Sequence, residues 1–351
     1  MLFSRLLDLN NLYTAFYKCS LGVRWKESVQ RYESNVLHNI NKLRKLLIRG
    51  TYRQKPFYEF DICERGKMRH IRSIHISDRV LQRALCDYVL NPVLFRYLIY
   101  DNGASVKGKG VSFARNRMKV HLMRYYRKHG STGYILNIDY SKYFDSIPHD
   151  LLKQKIASKI DDCRVLRLVN YLIDTFPGDK GLGLGSQLSQ TCGIFYLSGI
   201  DNLCKNVRRC KYYERFMDDI CIIHHDKEFL RTLECEIINE SQKMGLNVNT
   251  KKTQIIRLSR GFIFLKIHYY ITDTGRISMV PAKKAFITER RKLKKLADRL
   301  PKEELENQYK GWRGSLVKFD CHRRLIETDR IKKQILKSGT SPPKSDTQRV
   351  P

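Results

Sequence analysis

The sequence has no apolar run approaching the roughly 20 residues that a membrane-spanning helix needs, which argues against an integral membrane protein. Its ten cysteines form no Cys-x-x-Cys, and no Cys/His spacing resembles a zinc site. Cys192 and Cys221 lie inside apolar runs, where cysteine behaves as a small hydrophobe, so a reducing cytoplasm is the expected setting. Familiar nucleotide-binding loops are missing as well. The glycine-rich stretch 101–110 lacks the trailing Lys-Ser/Thr of a phosphate-binding loop, and its glycines do not fit G-x-G-x-x-G after a strand. The N-terminus is briefly apolar, turns polar at Asp8 and has no small-residue cleavage site, so a core helix is expected there and not a signal peptide. Acidic residues are scarce: 35 Asp and Glu face 67 Lys and Arg, a net charge of +32 over 351 residues. Self-repulsion of that size calls for a polyanionic partner. Nucleic acid is the first expectation, and an anionic membrane surface is the competitor.

What is present is the composition of a folded protein, 42% hydrophobic and long enough for two or three subdomains. Apolar spacing predicts helices over residues 8–50, with Leu12, Phe16 and Cys19 on one face and Val36, Ile40, Leu43 and Leu47 on another. A strand is predicted at 58–62, then a cation-rich hairpin turn over 64–72. A helix capped by Ser77 and Asp78 should run from Val80 to Val89. Further helices are predicted at 111–128, 149–177, 227–244 and 282–336, and strands at 254–270. Lys337 to Pro351, rich in Ser, Pro and Lys, reads as a disordered tail.

Two acidic stretches stand out. Tyr212 to Ile223 reads as strand, tight turn, strand, with Asp218 and Asp219 together at the turn. Adjacent aspartates at a hairpin tip repel unless a cation lies between them, and hard divalent ions suit oxygen ligands. A solvated acidic turn is the plainer alternative. Upstream, the apolar strand Ile135-Leu136-Asn137-Ile138 ends on Asp139, a third carboxylate for the same metals.

In this order the pieces resemble the prokaryotic reverse transcriptases over about residues 10–335. Asp139 with Phe144 is similar to the first catalytic motif of that family, and Phe216-Met217-Asp218-Asp219 to the second, usually Tyr-x-Asp-Asp. Lys67-Met68-Arg69 with Asp78-Arg79 resembles the fingers motif that holds the incoming triphosphate. Leu246-Asn247 with Lys252-Thr253 resembles a later palm motif, and Phe264-Leu265-Lys266 the primer-grip turn, usually Phe-Leu-Gly. The resemblance implies an α+β right-hand polymerase fold, with an antiparallel palm sheet between fingers and a helical thumb. Its expected parts are an N-terminal helical extension (1–50), fingers (51–130), palm (131–275), thumb (276–336) and tail (337–351).

The resemblance also implies chemistry. Asp139, Asp218 and Asp219, with the Tyr140 backbone, would bind two Mg²⁺ ions, or Mn²⁺ in substitution. Adjacent residues on a strand face opposite ways, so Asp219 serves one ion or stands behind the ligands. Lys67, Arg69 and Arg72 are candidates for the triphosphate, or else ordinary surface cations. Gly185 would line the nucleotide site. Lys252 is either a proton donor to pyrophosphate or a solvated lysine. Phe144 matches the family's aromatic gate against a ribose 2′-hydroxyl, favouring dNTPs, or is a core ring. Phe264, Leu265 and Lys266, with Trp312 and Arg313, are candidates for gripping primer and template; Trp312 is alternatively core.

One departure matters. Where group II intron-type enzymes carry Pro-Gln-Gly and later Ser-Pro, this chain has Leu184 and Gln190. The Gly-x-x-x-Ser-Gln pattern from Gly185 to Gln190 is similar to enzymes of diversity-generating retroelements and defence-associated relatives. Loss of the glutamine's polar contact implies relaxed fidelity. The expected partners are an RNA template, nascent DNA, dNTPs, a dedicated structured non-coding RNA and an accessory protein, with no membrane. The alternatives left open are a catalytically silent RNA-binding scaffold, which the three aspartates disfavour, and an RNA-templated RNA polymerase, which Phe144 disfavours.

Overall fold

The computed structural model describes all residues except Met1, Arg65, Gly66, Leu184 and 339–351; side-chain placement is also outside the description at Glu64, Lys67, Arg69 and Ser338. The chain divides into two compact units, one of residues 1–117 with 136–255, the other of 118–135 with 256–351. No described helix is long and apolar enough to cross a membrane.

The first unit opens with α1 (Leu2–Leu7), α2 (Leu9–Ser20), α3 (Glu27–Glu33) and α4 (Val36–Arg49). Asp8 caps α2 by accepting from the Asn11 backbone amide, and Gly50 ends α4 at φ 67°, a left-handed turn that glycine adopts without strain. Leu12, Phe16, Ile40, Leu43 and Leu47 point inward, as their spacing requires. Strands β1 (Tyr58–Glu64) and β2 (Lys67–Ser73) form a two-stranded antiparallel hairpin.

The next helix, α5 (Ile76–Leu85), is capped by His75, whose imidazole accepts from the Ser77 amide. This corrects the expectation of Ser77 and Asp78 as caps. Asp78 is buried and committed elsewhere, accepting from the Tyr52 hydroxyl at 2.8 Å and the Lys55 amide at 3.2 Å. The short α6 (Asn91–Leu94) follows, then α7 (Val111–His129), which belongs to the second unit from residue 118, then β3 (Tyr134–Ile138), α8 (Tyr143–Ser146), α9 (His149–Ala157) and α10 (Cys163–Asp174). Asp162 caps α10 and also accepts from the Phe3 amide at 2.9 Å, tying α1 to it.

Helices α11 (Gln187–Tyr196) and α12 (Ser198–Asn202) lead into β4 (Tyr212–Phe216) and β5 (Asp219–His224), and α13 (Lys227–Lys243) leads to β6 (Gln254–Arg257). The four strands form one sheet in the order β4-β5-β3-β6. β5 lies beside β3 in that sheet, and the charge of Asp139 after β3 acts on Asp218 at the tip of the β4–β5 hairpin.

In the second unit, β7 (Phe262–Phe264), β8 (Ile267–Ile271) and β9 (Ile277–Pro281) form an antiparallel meander. Helices α14 (Lys283–Ala297), α15 (Lys302–Leu316) and α16 (His322–Ser338) pack around Leu293, Leu305, Tyr309 and Ile335. Lys337 and Ser338, assigned to the tail from sequence, thus lie in α16; the remainder of that segment falls outside the described residues.

Gly245 turns the chain out of α13 at φ +70°, and a Cβ there would come within 2.5 Å of the Pro148 ring. Gly245→Ala therefore combines a left-handed alanine with overpacking, and should lower the denaturant midpoint by an amount equivalent to about 2 kcal/mol or more. Urea unfolding followed by circular dichroism checks it.

Candidate active site and metal centre

The site starts from β3. Ile135, Leu136 and Ile138 are buried, which fixes the strand and delivers Asp139 at its end. The segment after α13 is laid across that end. The Asn249 amide donates to the Asp139 carbonyl at 2.7 Å, the Asp139 amide donates to Thr253 Oγ1 at 3.3 Å, and the Ser141 amide donates to the Asn247 carbonyl at 2.9 Å. The same segment supplies the partners of the carboxylate: Asp139 Oδ2 accepts from Lys252 Nζ at 3.0 Å and Asn249 Nδ2 at 3.3 Å.

Asp218 and Asp219 come from the β4–β5 hairpin. Phe216 pairs with Asp219, so the turn is Met217-Asp218, and Asp219 is the first residue of β5. The two acids are therefore not both in the turn. Met217 holds a left-handed φ of +60°, an uncommon conformation for a residue other than glycine. Its carbonyl accepts from Arg215 Nη1 at 2.9 Å. Arg215 is completely buried and bidentate on the equally buried Asp201, with Nε–Oδ1 at 2.7 Å and Nη2–Oδ2 at 2.6 Å. Tyr213 adds a hydroxyl bond to Asp201 Oδ1 at 2.7 Å, and Arg215 Nη2 also reaches the Ile194 carbonyl on α11 at 3.1 Å. Through Arg215 the turn is fastened to α11 and α12 at once.

Neither Arg215 nor Asp201 was given a role from sequence. The one available signal was a charge inside an otherwise buried strand, which must find a partner. Asn249 and Thr253, which position Asp139, were missed for the same reason: their partner lies more than a hundred residues away.

The three carboxylates act on one another. Burial pushes the Asp218 carboxyl above its ordinary value, with the Asp139 charge adding to it. Asp219 is pushed up to about 6 by burial and by the charges of Asp218 and Asp139. Of the cations near them, Lys252 is more than half exposed. A half-buried set of oxygen donors, in which the charges of Asp139 and Asp218 oppose ionisation of their neighbours, fits hard divalent cations such as Mg²⁺. Tyr140, the proposed backbone ligand, follows Asp139 and fixes its own ring by a 2.9 Å hydroxyl bond to Ser241.

Of the nucleotide candidates of the first unit, Phe144 and Arg72 both adjoin the loop that carries Gly185. Residues 143–146 form a helical turn, entered through Lys142 at a left-handed φ of 46°. Tyr143 is buried and donates to the Gly193 carbonyl at 2.6 Å, while half-buried Phe144 lies edge-on to its ring, centroids 5.4 Å apart. Gly193 leaves room for Phe144: a Cβ there would lie 2.8 Å from its Cε1. The Leu182 amide donates to the Phe144 carbonyl at 2.8 Å, which runs the following loop beside α8. Gly185, at φ +102°, leaves a Cβ position 3.9 Å from the Arg72 carbonyl. Arg72 itself is engaged with Glu59, Nε to Oε1 at 2.9 Å. Lys67 and Arg69 occupy the outer part of β2, opposite Glu64 and Ile62, and their side chains lie outside the description, as does Leu184.

The remaining candidates belong to the second unit. Phe264 is buried, and Leu265 and Lys266 make the β7–β8 turn at φ 47° and 68° without a glycine. Trp312 packs edge-on against Phe286 and beside Tyr309, in the core of the three helices. Arg313 grips both oxygens of Asp329, at 3.0 and 3.1 Å. Structural contacts occupy both side chains.

The raised Asp219 pKa fixes a sign. Unfolded, this carboxyl titrates near its ordinary 3.8; folded, near 6. The folded state therefore binds more protons between these values, and stability falls as pH rises through that window. Divalent ions compete with that proton. Addition of Mg²⁺ should raise the Tm well above pH 6 and lose most of its effect below it, with the pH dependence reduced in Asp219→Asn; differential scanning fluorimetry reads this directly.

The family profile "Reverse transcriptase (RNA-dependent DNA polymerase)" matches residues 53–288, about two thirds of the chain. No curated protein matches it. Among solved structures, telomerase from Candida albicans, determined with a TWJ fragment of telomeric RNA, aligns at a TM-score of 0.50 and 13% identity, covering 84% of this chain and 62% of that one. The apo telomerase from Candida tropicalis, truncated from its C-terminal domain, aligns at 0.49 and 17% identity, covering 69% and 60%. The chain thus spans about three fifths of the length of these telomerase chains, and the first likeness bears on fold alone. The profile match, over the segment that carries all three aspartates, shows that this chain belongs to the reverse transcriptase family.

Proposed function

We propose that the protein is an RNA-directed DNA polymerase that adds dNTPs to a 3′-hydroxyl. The observation that carries this reading is the convergence of Asp139, Asp218 and Asp219, close enough for the Asp139 charge to act on both of the others, within a chain of this family. The three carboxylates, with the Tyr140 backbone, would hold two Mg²⁺ ions. When bound, such ions supply a lowered pKa for the attacking hydroxyl and charge neutralisation on the pyrophosphate.

The protein's own residues do the positioning. Arg215 fixes the turn that presents Asp218. Lys252 is paired with Asp139 and would hold its proton beside the site, in place to donate it to the leaving pyrophosphate. Arg72 exchanges Glu59 for a triphosphate oxygen, and its planar fork suits either partner. Phe144, backed by Tyr143 and Gly193, excludes a ribose 2′-hydroxyl. Residues 1–50 are assigned as an N-terminal extension, 51–130 as fingers, 131–275 as palm and 276–336 as thumb.

The natural setting that fits best is a cytoplasmic enzyme with a dedicated structured RNA and an accessory protein, serving antiviral defence or a diversity-generating retroelement. The support is the Gly185–Gln190 pattern; the RNA fragment held by the telomerase of similar fold supports an RNA partner.

Purified protein with Mg²⁺ and a primed RNA template should incorporate dNTPs. Asp218→Ala should lower the rate at least about a thousandfold, the scale expected when several kcal/mol of metal-borne stabilisation is lost. Phe144→Ala should retain dNTP use and gain rNTP use. Incorporation undiminished in Asp218→Ala would overturn the assignment.

A further inference from the structure

A second basic feature lies away from the aspartates, between the N-terminal helices and the root of the β1–β2 hairpin. A cavity of about 440 Å³ opens between α3, α4 and the start of α5, and a second of about 510 Å³ continues towards Tyr58 and Ser73. Ser28, Lys55 and His75 line both, so the two form one groove.

Cations line it from end to end. Lys42, Arg53 and Arg31 serve the first cavity, Lys55 the junction and Lys26 the second. Lys26, Lys42, Arg53 and Lys55 are exposed. Asp78 is the one acid among the described residues lining either cavity, and its oxygens are taken by Tyr52 and the Lys55 amide. Against the first cavity stands Tyr32, nine-tenths buried, whose hydroxyl has no hydrogen-bond partner in the protein. Aromatic surface flanks the second cavity: Tyr58 and Trp25 are about three-quarters exposed, with Lys26 over the Trp25 ring at 5.4 Å.

Cations spaced along an open groove with exposed rings beside them suit a single strand, whose phosphates meet the cations while its bases stack. A compact anion would engage one cavity and leave the other cations unmet. The first 50 residues carry nine Lys and Arg against three Asp and Glu, so the surrounding field favours the same ligand. We propose that this groove holds a single-stranded segment of RNA by its backbone, as an anchoring site separate from the aspartate centre. It goes beyond the polymerase reading and does not require it.

The test uses full-length protein and the triple variant Lys26→Ala/Lys42→Ala/Lys55→Ala, none of whose positions belongs to the proposed catalytic machinery. Binding of a fluorescein-labelled oligouridylate is followed by anisotropy across a salt series. Removing three phosphate contacts should flatten the slope of log K against log salt by about two. Affinity should fall at least about tenfold at low salt with Tm unchanged, while incorporation on an RNA–DNA hairpin whose 5′ RNA overhang is only a few nucleotides long stays at the wild-type rate. Wild-type slope and affinity in the variant would overturn the proposal, as would a parallel fall in incorporation on the short-overhang hairpin, which would make the groove part of the catalytic path. Competition by polyglutamate as effective as by RNA of equal charge would reassign it to acidic protein. The binding arm holds even for a protein that incorporates nothing, so failure of the polymerase reading is separately visible.

Discussion

The Arg215–Asp201 ion pair is withdrawn from water on both sides. A pair of this kind adds little to net stability, because desolvation offsets most of the attraction, whereas removing one partner costs several kcal/mol. What it supplies here is direction. Arg215 has no freedom left once both oxygens of Asp201, the Ile194 carbonyl and the Met217 carbonyl are bonded. The Met217 bond reaches past the strand into the turn, and holds a left-handed residue in place where no glycine eases the conformation. Asp218 is thereby presented close to Asp139 in spite of the repulsion that burial amplifies. The hairpin must be rigid before any metal arrives, and the arginine makes it so.

The same logic explains what the sequence made legible. Asp139, Asp218 and Asp219 could be proposed as metal ligands because metal chemistry requires acidic side chains, and because each sits beside an apolar strand with a clear pattern. Helices with regular apolar spacing, such as α4 and α13, were equally accessible. The misreadings came from local conformation decided by distant partners. His75 displaced Ser77 and Asp78 as a helix cap once Tyr52 and Lys55 had claimed the Asp78 carboxylate. The helical turn of Tyr143 and Phe144, entered through Lys142 and held by the Tyr143 bond to Gly193, had no signal in the local sequence. Arg215 stood in view within the hairpin, but its partner is fourteen residues upstream on another helix, and no spacing rule connects them.

Charge is distributed with comparable economy of purpose. Several conspicuous cations are engaged internally: Arg313 with Asp329, Arg72 with Glu59, Lys252 with Asp139. Arg313 braces helices, whereas Arg72 and Lys252 face groups that a triphosphate or a cation can replace. The exposed lysines of the N-terminal groove answer to neither description. On the proposed function, the chain separates cations that build the fold from those that would exchange partners during chemistry and those that would meet a polyanion.

The central claim is that the buried arginine governs the metal centre through the turn. It is tested most directly by the Mg²⁺ dependence of nucleotide incorporation in Arg215→Lys. Lysine keeps the charge that Asp201 requires but cannot span Asp201 and the Met217 carbonyl together. The account predicts a protein that remains folded and needs at least about tenfold more Mg²⁺ for half-maximal rate. A variant with wild-type Mg²⁺ dependence and wild-type rate would contradict it, and would reduce Arg215 to a residue of the core.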